Sequence, residues 1–196
     1  MPNQKPLNVF FLGLSGSGKG TQVAMLKSVL EKKYPVHMIS TGDLLRSLLT
    51  KDTVAAINTK KVLDKGGLMP SAVALSLWVY KVCEDVKEGE GILFESSPRS
   101  AWEAEAAVEM MTFLERRTET RAIYLFVPEE DIKERLLKRR RHDDNEEAIK
   151  GRIAFFREHV IPAIEYFRKE KMLIEIDGSG DVDAIHAHII KALNLA

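Results

Sequence analysis

Apolar residues fall along the chain in two alternating rhythms. Short runs rich in β-branched and aromatic side chains recur at 9–14 (VFFLGL), 36–39 (VHMI), 92–95 (ILFE), 122–127 (AIYLFV) and 173–176 (LIEI). Such runs predict strands buried on both faces. Longer stretches with helix-like spacing lie between them, at 21–33, 43–50, 71–87, 101–115 and 129–139. Strand alternating with helix is the pattern of a parallel sheet covered on both sides, so the expected class is a three-layer α/β fold around a five-stranded parallel sheet. Thr41-Gly42-Asp43 and Pro70-Ser71 read as helix starts, and Gly66-Gly67 as a helix end. No internal repeat, low-complexity segment or linker divides the chain, and one domain over residues 1–196 is expected.

Polar motifs follow the first three strands directly: GLSGSGKGT, STGDLLR and ESSPR. In an open parallel sheet, ligands bind beyond the carboxyl ends of the strands, so the three should converge on one face. The first has the spacing of a phosphate-binding P-loop, with Gly13, four residues, then Gly18 and Lys19. Backbone N–H groups and the positive end of the following helix favour phosphate there. The usual hydroxyl directly after the lysine is replaced by Gly20, and Thr21 comes one step late. A glycine-rich turn with an incidental lysine is the plainer alternative, but the preceding strand and the amphipathic TQVAMLKSVL behind it supply the context that phosphate binding requires. The loop contains no G-x-G-x-x-G, which argues against a dinucleotide site.

Composition narrows the partners. The 196 residues include 29 basic and 29 acidic side chains, for a net charge of zero. That balance argues against general binding to nucleic acid or a membrane surface and leaves anion chemistry to local clusters. The single cysteine, Cys83, excludes an internal disulfide and a multi-cysteine zinc site. Its setting in LSLWVYKVCEDV predicts a buried structural thiol. The start MPNQKPLN has no basic-then-apolar signal, and no apolar run approaches the ~18 residues of a membrane span, so a cytoplasmic location is expected. His186 and His188, two apart, fall on different helix faces and make a poor metal pair.

GKGTQ followed by STGDLLR, then Gly66-Gly67-Leu68-Met69-Pro70, ESSPR and an arginine-rich segment ending in Asp143-Asp144 resembles the nucleoside monophosphate kinase family, the adenylate kinases above all. The resemblance covers almost the whole chain in order and spacing, and it implies a P-loop fold transferring the ATP γ-phosphoryl group to a nucleoside monophosphate. ATP, Mg²⁺ and small-molecule nucleotides are then the expected ligands, with a monomer as the working unit. The ATP phosphates fall to Gly16, Ser17, Gly18, Lys19, Gly20 and Thr21, with Arg135, Arg139 and Gly180. The acceptor falls to Thr41, Arg46, Gly67, Leu68, Met69, Ser96, Ser97, Pro98, Arg99 and Glu103. Lys19, Arg99, Arg139, Arg141 and Arg152 serve transfer itself, and Arg141 and Arg152 touch both nucleotides. Asp143 and Asp144 are read as orienting arginines and capping a helix rather than as an acid/base pair. In this family a glycine after the lysine is normal. No side chain is expected to ligate Mg²⁺ directly, Glu95 reaching it through water. Closure of a flap at about 40–69 and a short arginine lid at about 138–144 is implied.

Three positions depart from the family pattern. Its DGFPR is Glu95-Ser96-Ser97-Pro98-Arg99 here, the P-loop proline is Ser15, and the adenine-reading glutamine is Glu103. A glutamine accepts from the adenine amine and donates to N1, whereas an ionised carboxylate only accepts. AMP is the expected acceptor, and GMP or another monophosphate is the alternative. Glu103 turned into solvent, or AMP held through its amine alone, would leave the base choice unchanged. A nucleotide-binding regulatory homologue without turnover is a second reading, motivated by ESSPR. A P-loop hydrolase would leave STGDLLR unexplained.

Overall fold

The computed structural model describes residues 5–64, 67, 69–139 and 146–195, with the side chain of Arg139 left aside. Five strands form one parallel sheet: β1 (Asn8–Leu12), β2 (Val36–Ser40), β3 (Gly91–Glu95), β4 (Thr120–Phe126) and β5 (Leu173–Asp177). Their order is β2-β3-β1-β4-β5, with every pairing parallel. The helices are α1 (Lys19–Leu30), α2 (Thr41–Leu48), α3 (Val54–Asp64), α4 (Ser71–Asp85), α5 (Ala101–Phe113), α6 (Glu129–Arg139), α7 (Glu146–Phe155), α8 (Ile161–Lys169) and α9 (Val182–Ala192). A π-helical turn, Phe156–Val160, joins α7 to α8. The expected five-stranded α/β class is the one observed.

Alternation along β1 builds the core. Val9 and Phe11 point into one apolar layer with Leu26 of α1 and Ile189 of α9, while Phe10 and Leu12 point into the other with Trp78 of α4, Ala107 of α5 and Phe167 of α8. All five residues of β1 are buried, as the unbroken apolar run requires of a central strand. The edge strands differ from the expectation. Met38 of β2 and Glu175 of β5 are exposed, because an edge strand lacks cover on one flank. Arg116 braces the opposite, amino-terminal end of the sheet through the carbonyls of Glu90 and Lys87 and through Asn8 Oδ1.

Cys83 is exposed, which corrects the buried-thiol expectation. The buried stripe of α4 is Ala74, Trp78 and Val82, four residues apart, and Cys83 stands about 100° round the helix from Val82. Helix α1 begins at Lys19, ahead of the expected start, because Gly18 takes a left-handed φ of 92° at its N-cap and turns the chain sharply. Helix α4 starts at Ser71 after Pro70 as the sequence predicts. The expected helix end at Gly66 lies outside the described residues, and Gly67 N–H closes on Val62 O at 2.8 Å. Among the described residues no helix is long and apolar enough to cross a membrane.

Phe94 stacks on Phe10 with centroids 4.1 Å apart and meets Trp78 edge-on at 5.3 Å, all three fully buried. Phe94→Ala is expected to lower stability by about 3–5 kcal/mol, measured by urea unfolding at equilibrium.

Candidate active site

The sheet register sets the site. Ser40 pairs with Glu95 and Phe11 pairs with Glu95, so β2, β3 and β1 end abreast and their loops open on the same side. The loop after β1 reverses tightly, with Ser17 N–H donating to Leu14 O at 3.0 Å and with Gly16 and Gly18 at φ of 91° and 92°. Those φ values favour glycine, and a Cβ on Gly16 would also stand 3.1 Å from Leu136. Lys19, at the start of α1, folds back so that its Nζ donates to Gly13 O at 2.7 Å and Leu14 O at 3.0 Å. Burial drives its pKa from 10.5 down to about 8, the Arg99 charge adds to the depression, and the Glu95 carboxylate opposes it. A Cβ on Gly20 would lie 3.0 Å from Glu95 Oε1, a steric reason for glycine after the lysine.

A cleft of about 1700 Å³ opens over this loop. Glu95, Ser96, Pro98 and Arg99 form one wall, Arg135 and Arg152 another, and Gly42 and Arg46 a rim. Arg99 is aimed by its own Nε donating to Ser96 O at 3.0 Å, and burial holds its pKa below the ordinary value, against the pull of Glu103. The hydroxyls of Thr41 and Ser97, both buried, hydrogen-bond to each other and tie the end of β2 to the end of β3. Arg46 sits exposed on α2, paired with Asp43, whose pKa is lowered by hydrogen bonds from Arg46 and Ser40. Arg135 is anchored through Gly178 O at 3.1 Å.

Beside the cleft lies a smaller cavity of about 170 Å³, lined by Thr41, Met69, Arg99 and Glu103 among others. Arg99 and Phe155 border both spaces. Glu103 is 3 % exposed, so it does not turn into solvent. Its Oε2 accepts from Arg99 N–H at 2.8 Å, while its own N–H donates to Ser100 Oγ at 3.2 Å. This reciprocal bracket opens α5 in the manner of a capping box.

The structure brings together Gly16, Gly18, Lys19, Gly20, Thr21, Arg46, Ser96, Pro98, Arg99, Arg135 and Arg152 around the cleft. Ser17 is placed otherwise, its N–H spent inside the loop and its side chain buried. Gly180 is exposed and borders neither cavity, whereas Gly178 meets Arg135. Gly67 is likewise exposed and borders neither. Leu68, Arg141, Asp143 and Asp144 lie outside the described residues, and so does the side chain of Arg139. Sequence reasoning missed Ser71, Phe155 and His159, which line the small cavity. Phe155 and His159, four apart, bring their rings to 4.7 Å, and nothing in the sequence marks them as cavity-lining.

The sequence profile of a family described as adenylate kinase matches residues 11–172. Proteins named adenylate kinase from Phocaeicola vulgatus and Bacteroides thetaiotaomicron are 35% and 34% identical to the chain over 192 and 193 residues. Those alignments cover 95% and 96% of this chain and 98% of each relative. One from Archaeoglobus fulgidus is 30% identical over 214 aligned positions, covering 93% of this chain and 96% of that protein.

Two outcomes follow from this geometry. Because the folded pKa of Lys19 lies below the unfolded one, its burial weakens the fold most below about pH 8 and the penalty fades as pH rises toward 10.5. Lys19→Met should therefore stabilise the free protein by ~1–3 kcal/mol at pH 7, with the gain vanishing near pH 10.5 in denaturation series, while phosphoryl transfer is lost. Ser96 holds φ of 62°, where a side chain costs about 1–2 kcal/mol. Ser96→Gly should gain roughly 0.5–1 kcal/mol after the entropy of glycine is deducted, read as a raised melting temperature.

Proposed function

The chain belongs to the adenylate kinase family, and from that premise we propose that it transfers the γ-phosphoryl group of ATP to AMP, yielding two molecules of ADP. The observation that carries this reading is the joining of a P-loop lysine and arginines from four other segments, Arg46, Arg99, Arg135 and Arg152, in one cleft. A monophosphate dianion is a sufficient nucleophile near neutral pH, so transfer needs positioning and neutralisation of charge rather than a general base. Lys19 exchanges its two carbonyl partners for phosphate oxygens and stays with the moving group. Arg99 approaches the acceptor phosphate with its pKa already depressed by burial, and a phosphate restores the charge balance around it. Arg46 keeps donors beyond its bond to Asp43 and takes the same phosphate from the rim. Arg135 faces the ATP side, where Arg139 is assigned on sequence grounds, and Arg152, with Arg141 on sequence grounds, clamps the phosphates of both nucleotides.

Mg²⁺ fits the donor set as an ion carried by the nucleotide. Glu95 is the carboxylate beside Gly20 and would hold it through water. The ion would supply charge shielding to the phosphates. Residues 40–69 act as the flap over the acceptor and residues 138–144 as the lid over ATP. Their closure excludes water and suppresses hydrolysis. The zero net charge argues against nucleic acid or a membrane surface as a partner and favours small-molecule nucleotides, and the family resemblance favours a monomer in the cytoplasm.

The test is a coupled ADP-formation assay with ATP, Mg²⁺ and each nucleoside monophosphate in turn. AMP should be turned over, and Arg99→Lys should lower kcat by about 10²-fold, since an ammonium cannot reproduce the guanidinium fork. Protein that binds ATP yet transfers nothing to any monophosphate would overturn the enzyme reading.

A further inference from the structure

The small cavity beside Arg99 carries a chemistry that AMP does not use fully. Its buried carboxylate, Glu103, accepts from Arg99 N–H through Oε2, while the Glu103 main-chain N–H donates to Ser100 Oγ and fixes the backbone that carries it. At 3 % exposure and with Oε2 engaged, the side chain is kept inside the cavity. No described residue donates to Oε1. Nearby, the hydroxyls of Ser71 and Ser100 lie 3.4 Å apart in the same cavity, and each can rotate to donate or accept.

We propose that Glu103 determines the acceptor base and that this pocket turns over GMP as well as AMP. The proposal rests on the reading of the small cavity as the acceptor-base pocket. An ionised carboxylate offers lone pairs and no proton. Adenine presents one donor, its 6-amino group, next to N1, whose lone pair would face the carboxylate with nothing between them. Guanine presents two donors on adjacent positions, N1–H and the 2-amino group, and both can be accepted by Oε1 and the free lone pair of Oε2. Its O6, an acceptor, then finds the Ser71 and Ser100 hydroxyls. The cavity therefore matches the donor and acceptor order of guanine along one edge, whereas for adenine it leaves a buried acceptor facing another acceptor, which costs affinity. AMP is still held through its amine and through the phosphate site.

The alternative role for Glu103 is solely to cap α5, and the two roles separate in a ratio. A capping defect lowers turnover with every acceptor alike, whereas loss of a base reader moves GMP against AMP. The experiment measures kcat/KM for AMP and GMP at fixed ATP in wild-type protein and in Glu103→Gln, whose amide oxygen can still accept from Arg99 N–H. Wild-type protein should use GMP within about tenfold of AMP. Glu103→Gln should shift the GMP-to-AMP ratio toward AMP by about tenfold or more, the size expected for one hydrogen bond exchanged for a mismatch. GMP turnover at background beside robust AMP turnover overturns the proposal. So does a ratio unchanged in the variant, which leaves Glu103 as a cap. GMP turnover without AMP turnover would overturn the adenylate reading and the dual use of acceptors proposed here, leaving only Glu103 as the reader of the base. Should the variant fail to fold, the wild-type comparison of GMP with AMP decides alone.

Discussion

A buried ammonium is the constraint around which the site is organised. Lys19 lies at the bottom of the cleft with 8 % of its surface exposed, and an ammonium removed from water must find oxygen. Two carbonyls, Gly13 O and Leu14 O, meet it, and they can do so only because the loop doubles back on itself. That reversal depends on left-handed glycines at 16 and 18 and on β1 being rigid and wholly buried behind it. The carbonyls satisfy the ammonium without neutralising its charge. The full charge remains available to an anion, and burial holds the pKa of the ammonium below its ordinary value.

The second cation sharpens the same problem. Arg99 lies close enough to Lys19 to lower its pKa, so two positive groups are held near each other with Glu95 as the local counterweight. Such a pair destabilises the fold and awaits a polyanion. Rigidity must come from elsewhere, and it does: the Thr41–Ser97 hydroxyl pair joins two strand ends, and the Phe10–Phe94 stack ties β1 to β3 within the core. Apolar burial on both faces of the sheet offsets the electrostatic strain at its carboxyl end. This division of labour matches the burial pattern, with β1 and β3 wrapped in core and their loops open to the cleft.

Much of this was legible in the sequence because it obeys local rules. All five strands were marked by short runs rich in apolar residues, and the phosphate loop by glycine spacing. The edge strands were over-read, since a run of four apolar residues says nothing about which strand ends up at the margin, as Met38 shows. Cys83 was misplaced because Leu77, Trp78, Val79, Tyr80 and Val82 make α4 apolar almost all round, and only packing selects the stripe through Trp78 and Val82. Ser17 and Gly180 belong to loops where sequence position gives no orientation. His159 and Phe155 could not be assigned to the pocket from sequence, because a π-helical turn shifts the register of side chains by one residue relative to an α-helix.

Apart from Ser15 in the loop after β1, the departures from the family pattern gather in one segment. Ser96, Ser97 and Glu103 all lie between the end of β3 and the first turn of α5, and this segment also carries Arg99. That arginine borders both the cleft and the small cavity, and Glu103 accepts its N–H. Any change of residue at 103 thus alters both the lining of the small cavity and the anchor of Arg99. A carboxylate meets both demands at once: it accepts from the backbone as an amide would, and its charge raises the pKa of the half-buried guanidinium against desolvation. Glu103 therefore offsets part of the cost of burying the Arg99 guanidinium while it lines the small cavity, so one carboxylate couples the two spaces of the site.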